Sequence, residues 1–163
     1  MSEYTVCPVV RVARQGDIPA LISLLEKLFS IESDFKFDPQ CQERGLKMLL
    51  GDERSVILVA EYGGAVAGMC TVQVVISTAE GGYAGLVEDV VVSEACRGRG
   101  IGSALLAAAE RWASIRGLRR LQLLADRENS PALSFYRRND WSSTRLVCLR
   151  RIPAETVEQM PCE

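Results

Sequence analysis

The feature that most constrains this chain is a glycine- and arginine-rich turn between an apolar strand and a helix, within residues 87–103. Three glycines stand at every second position, and two arginines alternate with them. Glycine permits positive φ and lets a ligand approach the backbone, so we interpret all three as serving a ligand rather than packing. Because the helix start adds free N–H groups and arginine adds forked donors, the pattern predicts a phosphate-binding turn. Its residues are Arg97, Gly98, Arg99, Gly100, Ile101, Gly102 and Ser103.

The composition indicates one globular domain and argues against several other classes of protein. A length of 163 residues allows a single sizeable core, and we expect one domain over residues 1–152 with a C-terminal tail over 153–163. The net charge of −2 gives no reason to expect a nucleic-acid partner. No apolar run approaches the roughly 20 residues that span a bilayer, and the N-terminus lacks the pattern of a signal peptide. We therefore expect a cytoplasmic protein without a membrane partner.

The cysteine and histidine content limits the available chemistry. None of the six cysteines is spaced as C-x-x-C, and without a secretion signal we expect free thiols. The chain contains no histidine, which removes histidine-based nucleophiles and histidine-ligated metals. We therefore predict no metal site, and acid–base chemistry must come from Asp, Glu, Tyr, Cys or Lys.

Helical periodicity and capping signals predict four helices. The first two begin at Asp17 and Asp38, because each aspartate can cap a helix and is closely followed by a proline that a first turn tolerates. The third covers residues 101–115 and stops at Gly117. A short fourth helix opens at Ser130.

Runs rich in Val, Ile and Leu predict six strands, with Gly68 marking a candidate bulge in the third. A strand on each side of the long third helix implies a parallel crossover. The sequence therefore predicts a mixed α/β fold, with a central, mostly antiparallel sheet that contains one parallel pair and is flanked by helices. The predicted strands cover residues 10–12, 55–61, 65–78, 86–92, 118–125 and 141–151, and the predicted turns between strands contain Gly63-Gly64 and Gly81, Gly82 and Gly85.

Two common nucleotide-binding turns fit the glycine pattern poorly. A Walker P-loop needs Gly-Lys-Ser/Thr after its glycines, and residues 101–103 lack the lysine. A dinucleotide-binding turn has an acidic residue at the end of the next strand, as Asp126 is here, but its glycines follow the first strand almost at once. In this chain five residues separate Val92 from Gly98, and the strands before the turn are predicted to be antiparallel.

Two motifs together resemble the GNAT acyl-CoA N-acyltransferase superfamily. The turn matches R-x-x-G-x-G with Arg97, Gly100 and Gly102, and residues 129–136 match N-x-x-A-x-x-F-Y. The predicted element order is also that of the family, so the resemblance covers nearly the whole chain. One departure is Asn139-Asp140, where the family usually has glycine after the tyrosine; both residues tolerate the left-handed conformation, so the turn can survive.

The resemblance implies acetyl-CoA as cosubstrate, with its pyrophosphate on the backbone amides of the glycine turn. It also implies that Val90 and Val92 offer backbone groups to the pantetheine arm, while their side chains pack in the core. Asn129 is implied as a further contact, with a position beside a helix N-cap as the structural alternative. The implied cofactor-binding residues are Val90, Val91, Val92, Arg97, Gly98, Arg99, Gly100, Ile101, Gly102, Ser103 and Asn129.

The resemblance also implies direct attack of an amine on the thioester. Tyr136 is the implied proton donor to the leaving sulfur, with a core tyrosine beside Phe135 as the alternative. Glu88 is the implied base, since Leu-Glu-Asp resembles the polyamine acetyltransferase branch, and Asp89 or water remains open. Strand alternation places Glu88 with Val90 on one face and Val87 with Asp89 and Val91 on the other.

The acceptor is the least constrained part of the prediction. We expect a primary amine, in a small molecule, an amino acid or an exposed protein amino group. Acidic residues in the first two predicted helices and their loop would favour a cationic amine, unless they are ordinary solvated charges. A non-catalytic acyl-CoA-binding sensor or assembly module is the alternative function, and a homodimer is expected by analogy alone. The acidic residues are Glu26, Glu32, Asp34, Asp38 and Glu43.

Overall fold

Five strands form one sheet, and helices cover both of its faces. The computed structural model describes residues 7–32 and 34–153. The strands are β1 (Val9–Val12), β2 (Ser55–Tyr62), β3 (Ala65–Ser77), β4 (Gly82–Val92) and β5 (Leu121–Leu123), and the helices are α1 (Ile18–Phe29), α2 (Pro39–Gly51), α3 (Ile101–Ile115) and α4 (Ser130–Arg138). The strand order is β1-β2-β3-β4-β5, antiparallel except for the parallel pair β4–β5. The predicted fold class is confirmed.

The two faces of the sheet pack against different helices. On one face β2, β3 and β4 contact α3, through residues such as Cys70, Val72 and Leu105. On the other face the same strands contact α1 and α2, through residues such as Met69 and Leu46. Because both faces are covered, the central strands read as nearly continuous apolar runs rather than as alternating ones.

The β2–β3 hairpin closes through the predicted Gly63-Gly64 turn, in which both glycines have positive φ, +61° and +83°. Its register shifts so that Ala67 is an extra residue next to Gly68, which confirms the candidate bulge. A Cβ at Gly68 would lie 3.0 Å from the carbonyl oxygen of Val91 and 3.2 Å from the Ile101 side chain. The glycine therefore also lets α3 pack closely on the sheet.

Gly85 does not belong to the turn that the sequence predicted. It lies inside β4, which begins at Gly82, and it pairs with Leu121 of β5. A Cβ at Gly85 would lie 2.5 Å from the Leu121 side chain and 2.9 Å from that of Leu118. The missing side chain thus makes room for two leucines at the only parallel pairing among the described residues.

The aspartates at the first two helices act differently from one another. Asp38 caps α2 as predicted, since its side chain accepts hydrogen bonds from the backbone of Gln40 and Cys41. Asp17 precedes α1, but its carboxylate accepts hydrogen bonds from Arg11 at 2.7 and 2.9 Å and from the Arg14 backbone at 2.7 Å. It ties β1 to the start of α1 rather than capping the helix amides.

The predicted last strand over 141–151 is wrong, and β5 is shorter than the predicted 118–125. No strand forms within residues 142–153, all of which the structure describes. Leu146 and Leu149 are 87% and 89% exposed, so the apolar residues that suggested a strand face solvent. Strand propensity needs a partner to pair with, and the neighbouring β5 offers only three residues.

Candidate active site

The pairing between β4 and β5 ends partway along β4. The two strands pair only from Gly85 to Val87, opposite Leu121–Leu123. Beyond this point β4 carries a bulge, because its register with β3 shifts and Asp89 has a φ of 54°. Aspartate tolerates this left-handed conformation better than most residues. The second half of β4 is consequently a free strand edge in the middle of the protein.

The bulge also corrects the predicted alternation of side chains along β4. Val87 packs on the α3 face and Val91 on the α1 and α2 face, although simple alternation placed them together. The extra residue at Asp89 reverses the phase of the strand. Glu88, the residue just before the bulge, pairs with Thr71 of β3. Val90 and Val92 pack towards α3, as predicted for core side chains.

The backbone of Val92 points away from β3. The neighbouring Ser93 N–H donates to the Ala67 carbonyl of β3 at 2.7 Å, so the groups of Val92, one residue earlier, face the other side. The Val92 carbonyl accepts there from Nε of Arg97 at 3.4 Å. An extended ligand can add to such an edge as a strand does.

Two glycines of the turn adopt the conformation that the sequence predicted. Gly98 and Gly100 have φ of +74° and +75°, and a Cβ at either would meet nothing within 4 Å. Gly100 is the N-cap of α3 and no side-chain hydrogen bond caps the helix. The first helical backbone bond runs from the Ala104 N–H to the Gly100 carbonyl, so the amides of residues 101–103 have no helical carbonyl partner. This turn fits a pyrophosphate group.

Gly102 has a different role from the other two glycines. A Cβ there would lie 2.8 Å from Cζ of Phe135 in α4. The interpretation that all three glycines serve only a ligand is therefore wrong, because Gly102 makes room for an aromatic ring. Its contact also packs the two motifs of the sequence against each other. The Ile101 side chain is buried and anchors the start of α3 in the core.

Asn129 is the N-cap of α4, with its side-chain oxygen accepting from the Ala132 N–H at 3.1 Å. The structural alternative for this residue is thus present, and its cofactor contact stays a prediction. The turn after α4 also survives its unusual sequence, since Asp140 takes a φ of 63° in place of a glycine.

Tyr136, which belongs to α4, lies next to two other aromatic rings. Its ring centroid is 5.3 Å from that of Phe135 and 6.2 Å from that of Trp141. Burial raises the pKa of the Tyr136 hydroxyl to about 12, and the nearby Glu32 and Cys70 add to this effect. The hydroxyl therefore keeps its proton at neutral pH and can act as a hydrogen-bond donor.

The two adjacent carboxylates of β4 differ in environment. Glu88 is exposed and accepts from Nε2 of Gln73 at 2.7 Å. Asp89 is half-buried and accepts from Oγ1 of Thr71 at 3.4 Å. Burial, together with the negative charges of Glu88 and Glu32, raises the pKa of Asp89 to about 6. The pKa of Asp89 is therefore displaced towards neutral pH.

Glu32 connects these groups electrostatically. Burial raises the pKa of Glu32, and so do the charges of Asp126, Asp34 and Glu88. Glu32 in turn acts on both Asp89 and Tyr136. Glu32 therefore lies close enough to both Asp89 and Tyr136 to influence their protonation. Thr71 was not predicted; a threonine within an apolar strand gives only the weak signal that a buried hydroxyl needs a partner.

The comparisons with known proteins identify the family of the chain. The family model described as Acetyltransferase (GNAT) family matches residues 19–141, about three quarters of the chain. The chain belongs to the acetyltransferase (GNAT) family. It is an acetyl-CoA-dependent N-acetyltransferase, as the two sequence motifs implied.

Individual proteins resemble this acetyltransferase in sequence or in fold. "Uncharacterized N-acetyltransferase YhfO" of Bacillus subtilis (strain 168) is 29% identical over 132 residues, covering 81% of this chain and 88% of that protein. A solved structure described as a transcriptional regulator from Bacillus halodurans C-125 has a TM-score of 0.80 and 25% identity, over 89% of this chain and 99% of the other. A protein of Clostridium acetobutylicum described as a predicted acetyltransferase, solved with acetyl-CoA, shares the fold, with a TM-score of 0.71 and 18% identity over 88% of this chain and 96% of the other.

Two further observations describe this acetyltransferase. Among the described residues, no helix is both long and apolar enough to cross a membrane. Within 7–32 and 34–153, no three His, Cys, Asp or Glu side chains are grouped as metal ligands.

Proposed function

We propose that this acetyltransferase moves an acetyl group from acetyl-CoA to a primary amine by direct attack, without an acetylated enzyme. The observation that carries the proposal is that Glu32 acts electrostatically on both Asp89 of β4 and Tyr136 of α4, while Phe135 of α4 packs against Gly102 of the glycine turn. We propose that the proton donor, the proton acceptor and the anion site are all within reach of one extended ligand.

We propose that the turn and the free edge of β4 hold acetyl-CoA. Uncapped amides at 101–103 and the left-handed Gly98 and Gly100 suit the pyrophosphate. The outward backbone of Val92 suits the amide groups of the pantetheine arm. When bound, acetyl-CoA supplies an acetyl group activated as a thioester.

The carboxylates handle the proton of the acceptor. A primary alkylamine resembles lysine, with a pKa of ~10, so at neutral pH it arrives as an ammonium ion and must lose a proton to attack. Glu88 is the base that the sequence pattern suggested, and it is exposed to an incoming amine. Asp89 has a pKa raised to about 6, which suits proton transfer near neutral pH.

Tyr136 supplies the proton to the other product. The departing thiolate needs a donor, and the hydroxyl of Tyr136 holds its proton because its pKa is raised to about 12. The acceptor amine would approach a region with negative charge, which comes from Glu88, Asp89 and Glu32. This charge favours a cationic amine over a neutral or anionic one.

The test is the product mass formed from acetyl-CoA with a panel of polyamines, amino acids, aminoglycosides and peptides. We expect at least one amine to gain one acetyl group and free thiol to appear in equal amount. Tyr136→Phe should lower the turnover rate by about 10²-fold or more, whereas Tyr83→Phe, an exposed tyrosine at the other end of β4, should not. Tight coenzyme A binding with no acetylated amine would instead favour the non-catalytic acyl-CoA-binding module.

We also propose the remaining features that were expected from the sequence. These are a homodimer in the cytoplasm, a single domain ending near residue 152, and no nucleic-acid or membrane partner. The tail beyond Pro153 lies outside the described residues. A mass of one chain by light scattering at micromolar concentration would contradict the dimer.

A further inference from the structure

The guanidinium of Arg99 is held by an aromatic side chain from another part of the sheet. Its Nη1 donates to the hydroxyl of Tyr62 at 2.9 Å. Its central carbon lies 5.2 Å from the centre of the Tyr62 ring, so a cation–π contact accompanies the hydrogen bond. One of the five N–H donors of arginine is used in this way, and the other four stay available.

Tyr62 is a fixed support for this contact. It is the last residue of β2, and it pairs with Ala65 across the two-residue turn of Gly63-Gly64. Its half-buried ring packs against the core between the sheet and α3. The position of the hydroxyl is therefore set by a tight hairpin and by the core, not by a mobile loop.

Arg99 needs such a support more than its neighbour Arg97 does. It is exposed and stands between two left-handed glycines that have no side chains of their own. Arg97 donates to the backbone carbonyl of Val92, an acceptor that no side-chain substitution removes. An arginine side chain that is free in solution loses rotamer entropy when it binds an anion, and a preformed contact reduces that loss.

We propose that Tyr62 is a positioning residue that holds Arg99 at the glycine turn, so that the remaining donors of Arg99 bind the phosphate groups of coenzyme A. The proposal rests on the proposed role of the turn as the coenzyme A site. Tyr62 acts through Arg99 and touches neither the thioester nor the acceptor amine. Its contribution is therefore to cofactor affinity and not to the acetyl transfer step.

The experiment measures the Kd of coenzyme A by calorimetry for the wild type, Tyr62→Phe, Arg99→Ala and the double variant. Tyr62→Phe keeps the ring and removes only the hydroxyl, so the melting temperature should not change. We expect it to weaken binding by about three- to tenfold, with no further loss when Arg99 is already alanine. Tyr83→Phe and Arg116→Ala are matched controls, since Tyr83 is exposed and Arg116 stacks on Trp112 away from the turn.

A second donor separates positioning from a general structural effect. Acetyl-pantetheine carries the thioester but no phosphate, so its kcat/KM should be equal in the wild type and in Tyr62→Phe. An equal loss with this donor, an unchanged Kd for coenzyme A, or the same loss in the Arg99→Ala background would overturn the Tyr62 assignment alone. Absence of coenzyme A binding by the wild type would overturn the proposed anion site as well.

Discussion

Oγ1 of Thr71 donates a hydrogen bond to Oδ2 of Asp89 across 3.4 Å, joining a fully buried position of β3 to the bulge of β4. Thr71 pairs with Glu88, the residue just before the bulge, so the register places its hydroxyl beside the next carboxylate. The bulge turns Asp89 out of the strand pattern, and burial there makes it a weaker acid than an ordinary aspartate. The sheet thereby builds a carboxylate suited to accept a proton near neutral pH.

Replacing Asp89 by asparagine should remove this proton acceptor. Because the pKa of Asp89 is raised to about 6, the wild-type kcat/KM should fall as the pH drops through that value. Asp89→Asn should lower kcat/KM by about 10²-fold or more and remove the inflection. The check is a pH–rate profile, with Glu88→Gln as the matched variant at the adjacent carboxylate. If Glu88→Gln abolished the inflection and Asp89→Asn kept it, Glu88 would be the base.

Replacing Thr71 by valine should move the same inflection to higher pH. The Thr71 hydroxyl stabilises the ionised form of Asp89 and so lowers its pKa. Valine has nearly the same shape and lacks the hydroxyl, so the pKa of Asp89 should rise by up to about one unit. The pH–rate profile measures the shift. An inflection that stayed in place, or moved to lower pH, would mean that the hydroxyl does not act on Asp89.

Asp89→Asn should stabilise the fold relative to the wild type at high pH, although it lowers the activity there. The pKa of Asp89 is higher in the folded chain, about 6, than in the unfolded chain, so its ionisation opposes folding increasingly as the pH rises towards 6. Asparagine carries no charge and tolerates the left-handed conformation. Asp89→Asn should therefore raise the free energy of unfolding by roughly 1–3 kcal/mol at pH 8 and leave it nearly unchanged at pH 4. Urea unfolding at both pH values measures it, and equal stability at pH 8 would contradict the cost of burying this charge.

The glycines of the turn should separate binding from stability. Gly100→Val forces a branched residue into a φ of +75° at the N-cap of α3 and should abolish coenzyme A binding. Gly102→Ala instead places a Cβ 2.8 Å from the Phe135 ring and should lower the free energy of unfolding by about 1–3 kcal/mol. Calorimetry and urea unfolding of both variants provide the comparison. Gly100→Val protein that bound coenzyme A normally would exclude the turn as the cofactor site.

Local signals in the sequence predicted most of the fold and the turn, whereas contacts between distant residues were not predictable. The conformations of Gly98 and Gly100 follow from glycine itself, and the order of elements follows from apolar runs and helix starts. The bulge at Asp89 has no such signal, because β4 is covered on both faces and shows little alternation. The partner of Arg99 lies 37 residues away at Tyr62, and nothing in either segment identifies the other.

The predicted sixth strand, which does not form, also shows that pairing with distant residues is not predictable from local composition. Residues 146–149 have the composition of a strand, but pairing depends on what lies beside them. Arg150 donates to the Asp34 backbone carbonyl at 3.1 Å, so this segment runs towards the loop after α1 instead of forming a ladder with β5. Composition measures the tendency to pair and contains no information about the length of the neighbouring edge.

The Arg11–Asp17 pair should stabilise the folded chain at neutral pH and lose this effect at strongly acidic pH. Hydrogen bonds from Arg11 lower the pKa of Asp17 to about 2, and the backbone N–H of Arg14 contributes to the same effect. The folded pKa lies below the unfolded one, so the stabilisation is complete above about pH 4 and is lost as the pH falls towards 2. Asp17→Asn should therefore cost about 2 kcal/mol of unfolding free energy at pH 7 and little at pH 2. The exposed Lys47–Glu43 pair gives the matched control, since Glu43→Gln should cost less than about 0.5 kcal/mol at either pH. Urea unfolding at the two pH values tests this difference, and a loss for Asp17→Asn that was equal at pH 7 and pH 2 would show that the ionised carboxylate is not its source.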